Sequence, residues 1–395
     1  MDIRNGNDAQ AKPPETEIPR LRQEVWSWGA GTDGQLGSGK LEDENSPHPV
    51  SYFNPSHQVT MLAGGGGHVI ALTLNGKVMS WGRGTSGELG HGNKLNMLFP
   101  EAVTSLDNHF IVHVSAGWNH SGFVSDSGRC FVCGNGSFGQ LGLENLISQV
   151  TPVSISYFKE RHVKEIACGL RHSLVLLQDS TETRVYSFGS GRHGQLGLGE
   201  ENVNSTATPC RVYGLDNTDV ATVSANGDHS AALCSDGQVY TWGRGFTGSS
   251  NKSPKLLVAP FRFQKITLGW NHSLLLTIDG ELCILGFHRG VLKSLYPKVS
   301  GGEEILQSVG CLRGIKVTQI AAGAEHSVVV TESGEMRTWG WGEHGQLGLG
   351  QTDDQEGPQP LSLPSLTCGE EASVLVFCGS GFSYAIRSIS VANPP

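Results

Sequence analysis

Short runs of apolar and β-branched residues recur along the chain, and polar segments rich in glycine separate them. The runs VIALTL and KVMSW are typical, and Asn75-Gly76 lies between them. Asn-Gly and Asp-Gly pairs supply the positive φ angles that tight turns between antiparallel strands need. Equivalent turns are Ser127-Gly128, Asp236-Gly237, Asp279-Gly280 and Ser333-Gly334. The pattern predicts a series of β-hairpins and therefore an all-β protein.

A glycine signature follows each predicted hairpin. It reads WGAGTDGQLG from Trp28, and related copies, of which the one at Leu285 is degenerate, begin at Trp81, Cys133, Phe188, Trp242, Leu285 and Trp339. The seven copies follow one another at intervals of 53, 52, 55, 54, 43 and 54 residues. Self-similarity at such a period is typical of repeat architectures.

A second signature precedes each hairpin and usually consists of Ala-Gly, two variable residues, a histidine and a serine. Its histidines are His68, His120, His172, His229, His272 and His326, and Phe382 replaces them in the seventh copy. The distance from histidine to glycine signature is 13 residues in five of six copies. Equivalent positions of separate repeats are held apart, whereas a metal site needs three or four ligands close together. We therefore interpret the six histidines as structural groups that bond to a neighbouring backbone, and we expect no metal.

Each unit contains four strand-like segments in about fifty residues, which is the pattern of a four-stranded propeller blade. Seven units predict a seven-bladed β-propeller. The chain opens on a W-S-W-G strand and closes on CGSGFSYAI, and these two half-units complement each other. We expect the N- and C-terminal strands to pair in one composite blade, which closes the ring and removes exposed sheet edges. The predicted propeller covers residues 25–386, between a disordered polar arm at 1–24 and a short tail at 387–395.

Composition narrows the functional class. Glycine supplies 54 of 395 residues, and the charged fraction is only 16% against about 25% in typical domains. The net charge is −9 and no dense basic run is present, so direct binding of nucleic acid or of an anionic membrane is disfavoured. We find no signal-peptide pattern and no apolar run of membrane-spanning length, and nine scattered cysteines are typical of free thiols. We expect a cytoplasmic or nuclear protein.

Several segments match the spelling of ligand-binding or metal-binding motifs without the context that those motifs need. Gly29-x-Gly31-x-x-Gly34 matches a dinucleotide fingerprint, but the same spelling recurs through the repeats, whereas a nucleotide site needs one copy that opens a helix. Cys130-x-x-Cys133 has no second pair at zinc spacing, and strand residues three apart face opposite sides. No acid/base pair or activated nucleophile can be placed from spacing. The sequence predicts a protein that is not an enzyme and has no cofactor.

Function is expected where the repeats differ. The two residues before each histidine vary, and periodicity places them at one end of the ring near its axis. The predicted partner-binding face consists of Trp118, Asn119, Arg171, Asp228, Trp270, Asn271 and Glu325. Tryptophan and arginine are enriched at binding hot spots. The alternative is that Trp118 and Trp270 only plug the central channel, and the sequence leaves both interpretations open.

A second irregularity follows Trp242, where the unit of 43 residues has lost Gln-Leu-Gly. The degenerate unit after it carries a local excess of basic residues, which are His288, Arg289, Lys293, Lys298, Arg313 and Lys316. This bias is compatible with a docking site for an acidic partner, but a decayed repeat under no functional demand would look the same, and we favour that second interpretation.

The combination of AGWNHS, an Asp-Gly turn and a WGRG loop ending in GQLG resembles the regulator of chromosome condensation repeat family, over about residues 25–386. The resemblance implies a seven-bladed propeller closed by a composite blade. One branch is similar to the exchange factor of the nuclear-transport GTPase. It implies a non-enzymatic interaction scaffold whose most concrete partner is a small GTPase, regulated by guanine-nucleotide exchange through differential binding. The basic chromatin-binding tail of that branch is not matched, because residues 1–24 hold four basic and five acidic residues.

A second branch is similar to the plant ultraviolet-B photoreceptor, in which neighbouring blades carry G-W-R-H-T copies. This chain has G-W-N-H-S at Trp118 and Trp270 only, with Asn119 and Asn271 in place of the arginines. The resemblance implies, as an alternative, a photoreceptor-like signalling protein that lacks the full tryptophan cluster.

Overall fold

Seven four-stranded antiparallel sheets make up the protein, which confirms the predicted seven-bladed β-propeller. The computed structural model describes residues 21–53, 57–179, 182–199, 203–245, 250–286, 306–365 and 371–390. Six sheets are formed by consecutive strands, and the seventh combines both ends of the described chain. We number the blades I to VII, starting from the first complete one.

The innermost strand of each blade lines the central axis. From blade I to VII these strands are β3 (Val59–Gly64), β7 (Ile111–Ala116), β11 (Val163–Cys168), β15 (Val220–Asn226), β19 (Phe263–Leu268), β23 (Val317–Ala322) and β27 (Glu371–Cys378). The second strands begin at the repeat histidine or at Phe382 and are almost wholly buried. They are β4 (His68–Thr73), β8 (His120–Ser125), β12 (His172–Gln178), β16 (His229–Cys234), β20 (His272–Thr277), β24 (His326–Thr331) and β28 (Phe382–Ser390).

The third strands end at the glycine signature. They are β5 (Val78–Gly82), β9 (Cys130–Gly134), β13 (Thr183–Ser190), β17 (Val239–Arg244), β21 (Leu282–Gly286), β25 (Met336–Gly340) and β1 (Leu21–Gly29). The outer strands are β6 (Met97–Ala102), β10 (Gln149–Ser154), β14 (Ser205–Arg211), β18 (Ser250–Leu256), β22 (Leu306–Ser308), β26 (Gln355–Leu361) and β2 (Glu44–Pro49). Three short 3₁₀ turns follow outer strands, at Thr104–Leu106, Ser156–Phe158 and Gly310–Leu312.

The composite blade closes the ring as predicted. Strand β1 pairs with β28 without a break from Leu21 opposite Ser390 to Gly29 opposite Phe382. Both strands extend beyond the predicted limits of 25 and 386, and Arg387 Nε donates to Glu24 Oε2 at 2.9 Å across the added pairs. Residues 1–20 and 391–395 lie outside the described residues, so the arm and the tail remain predictions.

The core lies between the blades. Seven clusters of buried apolar side chains fill the seven junctions of neighbouring sheets. At three junctions the glycine signature supplies part of the contact, because its glutamine carbonyl accepts a hydrogen bond from the indole of Trp28, Trp81 or Trp242 in the next blade. Trp28 Nε1 lies 2.9 Å from Gln346 O, and Trp242 Nε1 lies 2.9 Å from Gln195 O. The recurrent aromatic-Gly and Gln-Leu-Gly elements therefore join neighbouring blades.

The repeat histidines join the same junctions. His68 Nε2 lies 2.9 Å from Ser121 Oγ of the next blade, and Ser121 Oγ donates to Glu88 O at 2.7 Å. Since the serine proton is used on the carbonyl, the histidine must donate from Nε2. Burial lowers the pKa of His68 to about 3, so the ring is neutral and carries its proton on Nε2. Equivalent pairs are His120–Ser173, His172–Ser230, His272–Ser327 and His326–Ser383. The predicted bond to backbone is wrong at these five junctions, because Nε2 instead contacts the serine that follows the next repeat histidine or, at His326, the serine that follows Phe382.

Blade IV is the exception. His229 Nε2 donates to the backbone carbonyl of Trp270, and Ser273 Oγ is buried with no partner among the described residues. In the other histidine blades a glycine stands three residues before the histidine. A Cβ on Gly65 would lie 2.5 Å from His68 Cε1, so a side chain there excludes the usual ring position. Asn226 occupies this place in blade IV and displaces His229 toward the backbone.

Candidate functional site

The two variable residues before each histidine lie together at one end of the ring, as their spacing predicts. Backbone hydrogen bonds connect them from blade to blade: Gly66 N to Gly117 O at 3.1 Å, Trp118 N to Gly169 O at 3.1 Å and Leu170 N to Gly227 O at 2.9 Å. The loops between third and outer strands surround them. We call this end, formed by the loops before the second strands and after the third strands, the loop face, and the opposite end the hairpin face.

Trp118 and Trp270 meet at the centre of the loop face. They belong to blades II and V, yet their ring centroids are 5.2 Å apart with an interplanar angle of 46°. Arg83 places its guanidinium 5.4 Å from the centroid of Trp118 and donates from Nη2 to Trp118 O at 2.6 Å. Because the two blades are not neighbours, the rings can meet only across the axis. The contact therefore supports the plug interpretation for the indoles.

Two other predicted residues pair with the loop of the preceding blade. Arg171 is exposed, and its guanidinium lies 4.6 Å from the ring centroid of Phe138. Asp228 is half-buried, with Oδ2 lying 3.0 Å from His193 Nδ1 and Oδ1 accepting from Gln195 Nε2 at 3.0 Å.

The remaining predicted residues lie on the same ring. Asn271 is exposed and donates from Nδ2 to Glu325 Oε1 at 3.1 Å. Asn119 is half-buried, and its backbone carbonyl accepts a hydrogen bond from Asn135 N at 2.8 Å. The structure thus brings the predicted residues onto one face but engages most of them with neighbouring blades. Whether this face binds a partner stays a prediction.

Glu88 was not singled out from the sequence. It is fully buried at the position where Gln35 and Gln140 stand in other blades, and its Oε1 lies 3.3 Å from Arg83 Nε. Burial raises the pKa of the Glu88 carboxyl, while Arg83 and the Ser86 N–H oppose that change. The Gly-Glu-Leu-Gly spelling was the available signal. Glu88 orients Arg83, and Arg83 in turn covers Trp118.

The innermost strands enclose an axial channel of about 320 Å³ beneath the tryptophan pair. Its polar side chains bridge neighbouring blades. His113 Nε2 donates to Ile166 O at 2.9 Å, Glu165 Oε1 accepts from Thr222 Oγ1 at 2.8 Å, and Lys265 Nζ donates to Gln319 Oε1 at 3.1 Å. Sequence reasoning did not single out these three positions, since channel lining depends on the radial position of a strand.

The other candidate features have simpler outcomes. Cys130 and Cys133 lie in different interblade clusters, which confirms their opposite orientation, and burial raises the pKa of both thiols. No group of three His, Cys, Asp or Glu side chains in the described ranges is arranged to hold a metal ion. Within those ranges we also find no helix with the length and apolar character to cross a membrane.

Most of the basic segment lies outside the described residues, namely His288, Arg289, Lys293 and Lys298. Its described members Arg313 and Lys316 are exposed, and Lys316 Nζ lies 3.7 Å from Glu332 Oε1. The lost Gln-Leu-Gly after Trp242 corresponds to residues 249–251, of which residue 249 lies outside the described ranges and Ser250 and Asn251 begin strand β18.

Comparison with known proteins identifies relatives of this chain and of its fold. A family model described as the RCC1-like domain matches residues 24–385. The chain is 30% identical to the ultraviolet-B receptor UVR8 of Arabidopsis thaliana, over 84% of this chain and 75% of the receptor. It is 30% identical to the secretion-regulating guanine nucleotide exchange factor of Bos taurus, over 95% and 86% of the two chains. The fold is similar to Prp20p from Saccharomyces cerevisiae, which has binding properties toward Gsp1p and histones; the TM-score is 0.79 at 24% identity, over 96% and 93% of the two chains.

Proposed function

The chain belongs to the RCC1-like domain family, and from that premise we propose that it is a non-enzymatic scaffold that regulates a small GTPase by guanine-nucleotide exchange. The observation that carries the proposal is the 30% identity to a secretion-regulating guanine nucleotide exchange factor along nearly the whole of both chains. A likeness of this extent includes all seven blades and both faces.

Exchange of this kind needs no catalytic side chain. A scaffold that binds the nucleotide-free GTPase more tightly than the loaded form lowers the free energy of the empty state and speeds nucleotide release. A tenfold acceleration corresponds to about 1.4 kcal/mol of such differential stabilisation in the transition state. Binding groups at fixed positions are sufficient, and the loop face offers them on a rigid ring.

Arg171 and Asn271 are the first residues to test on that face, because they are exposed and flank the closed axis. Trp118 and Trp270 are less suitable. Their rings contact each other, so a substitution there opens the channel as well as changing the surface. Arg129 is a matched control, since it is exposed on a hairpin of the opposite face.

Nucleotide release from a panel of small GTPases tests the proposal. Each GTPase is loaded with a fluorescent GDP analogue and mixed with this protein and excess GTP. We expect at least one member to release nucleotide about tenfold faster than its intrinsic rate or more. If no member of a panel that spans the main GTPase subfamilies responds, the exchange proposal fails.

One observation favours a second candidate, an ultraviolet-B-responsive signalling protein. The Trp118–Trp270 pair with Arg83 over one ring places two indoles in contact beside a cation. That candidate predicts that ultraviolet-B irradiation changes the oligomeric state. Gel filtration before and after irradiation measures it, and identical elution profiles eliminate the candidate.

A further inference from the structure

The axial channel contains one cationic side chain without a carboxylate partner. Among the described residues that line the cavity of about 320 Å³, Lys265 is the only lysine or arginine. It lies on the innermost strand of blade V and is half-buried. A cavity of this volume is at the lower end of the range for small-molecule sites.

Among the described residues, the ammonium group of Lys265 has one hydrogen-bond partner, the neutral amide oxygen of Gln319 at 3.1 Å. No carboxylate of the described residues is within ion-pair distance, and burial lowers the pKa of Lys265. An ammonium carries three N–H donors, so two are available to the contents of the channel. Removing a cation from bulk water is unfavourable unless an anion or further acceptors compensate for the lost hydration.

Glu165 lines the same channel but does not compensate for Lys265. Its Oε1 accepts from Thr222 Oγ1 at 2.8 Å, and its Oε2 accepts from Val223 N at 3.3 Å, so both oxygens are held by blade IV. Its negative charge also restricts what can enter. Glu165 repels every negative charge on a ligand, so a single carboxylate held at Lys265 gains the attraction with less repulsion than a group of greater charge.

The rest of the lining includes a large apolar part. Met61, Ala63, Ala167 and Phe377 face the cavity from blades I, III and VII. The indole pair described above closes the loop-face end. A ligand that fits this lining has an apolar body as well as an anionic group.

We propose that the axial channel binds small organic monocarboxylates. The carboxylate pairs with Lys265, and the apolar body lies against Met61, Ala167 and Phe377. Entry is from the hairpin face, because the tryptophan pair occupies the other end. This site is independent of the GTPase proposal, which concerns the loop face.

Isothermal titration with benzoate tests the site on the full chain. Benzyl alcohol is the neutral control of the same shape, and phenylphosphonate is the control with greater charge. We expect saturable binding of benzoate, and weaker or no binding of both controls. Benzoate binding should also weaken as ionic strength rises, because the ion pair is screened.

Lys265→Met is the decisive variant, since it keeps the aliphatic stem and removes the charge. Loss of the ion pair should weaken benzoate binding about tenfold or more. Lys164→Met is the matched control: Lys164 belongs to the equivalent strand of blade III but is exposed, with Nζ bonded to Ala221 O at 2.9 Å. Lys265→Gln is a second variant in case the first does not fold, with folding checked by thermal unfolding.

Several outcomes would overturn the proposal. They are the absence of saturable benzoate binding, equal affinity of Lys265→Met (or Lys265→Gln) and the unmodified chain, and equal binding of benzyl alcohol. Weakening by Lys164→Met to the same degree would also contradict it, because that lysine lies outside the channel lining.

Discussion

The junction between blades III and IV and the junction between blades IV and V start from the same repeat position and end in different contacts. At the first, Gly169 leaves room for His172, whose Nε2 lies 2.9 Å from Ser230 Oγ. At the second, Asn226 takes the glycine position and His229 donates to a backbone carbonyl instead, so the equivalent serine is left without a partner among the described residues. One side chain at the glycine position decides which contact forms.

The two junctions differ in what the repeat histidine contacts. At the first it joins neighbouring blades through a serine, and at the second it bonds to the loop that carries Trp270. The carbonyl that His229 binds belongs to Trp270, whose ring contacts Trp118 across the axis. The junction between blades IV and V, which we call the irregular junction, therefore helps to position Trp270, one of the two indoles that close the channel. We call the five junctions with a histidine–serine hydrogen bond the regular junctions. They join neighbouring blades around the ring, whereas the irregular junction shapes the centre of the ring.

Acid should affect the regular junctions most strongly. Burial lowers the pKa of His68, His172 and His326 to about 3 and of His120 to about 4. Each buried imidazole resists protonation, whereas the unfolded chain binds a proton near pH 6.5. Their contribution to stability is complete above pH 6.5 and decreases as the pH falls toward 3 to 4. At pH 5 the loss is about 2 kcal/mol for each histidine.

Urea unfolding at pH 7.5 and pH 5 measures this loss as a lower midpoint at pH 5. Equal midpoints would contradict the assignment of neutral, buried histidines. Histidine NMR titration adds the comparison between junctions. Burial lowers the pKa of His229 as well, but the Trp270 carbonyl that accepts its hydrogen bond opposes this change, so we expect His229 to protonate at a higher pH than His172.

A methyl group at the glycine position should disrupt a regular junction. In Gly169→Ala the new Cβ would lie 2.3 Å from His172 Cε1, so the ring must move and the bond to Ser230 is lost. We expect a loss of about 2 to 3 kcal/mol in the free energy of unfolding. Gly357→Ala is the control, since no heavy atom lies within 4 Å of the position that its methyl group would take. Equal effects of the two substitutions would refute the steric explanation.

Removing the serine hydroxyl should give the smallest effect and the clearest contrast. Ser230 Oγ accepts from His172 and donates to Gln195 O at 2.7 Å, so Ser230→Ala should cost about 1 to 3 kcal/mol. Ser273→Ala removes a buried hydroxyl that has no partner among the described residues, and should change stability by about 0.5 kcal/mol or less. Denaturant unfolding of both variants compares them, and a larger loss for Ser273→Ala would contradict the contacts assigned to the irregular junction.

The sequence was sufficient to predict the blades but not the contacts between them. Repeat spacing predicted seven units, the hairpins and the composite blade, because a strand pattern depends on local composition. It placed Trp118 and Trp270 at one height, but their contact depends on ring closure, which brings blades II and V to opposite sides of a narrow axis. The serine partner of His68 was missed because spacing fixes where a group lies and not which neighbouring group it meets.

We propose that repeated positions hold the ring while variable loop-face positions recognise a GTPase. The most direct test of this claim is nucleotide release from a responding GTPase with the unmodified protein, with Arg171→Glu and with Arg129→Glu. We predict that Arg171→Glu loses most of the acceleration and Arg129→Glu retains it, with unfolding midpoints close to that of the unmodified protein for both. Full acceleration by Arg171→Glu, or an equal loss in both variants, would contradict the claim.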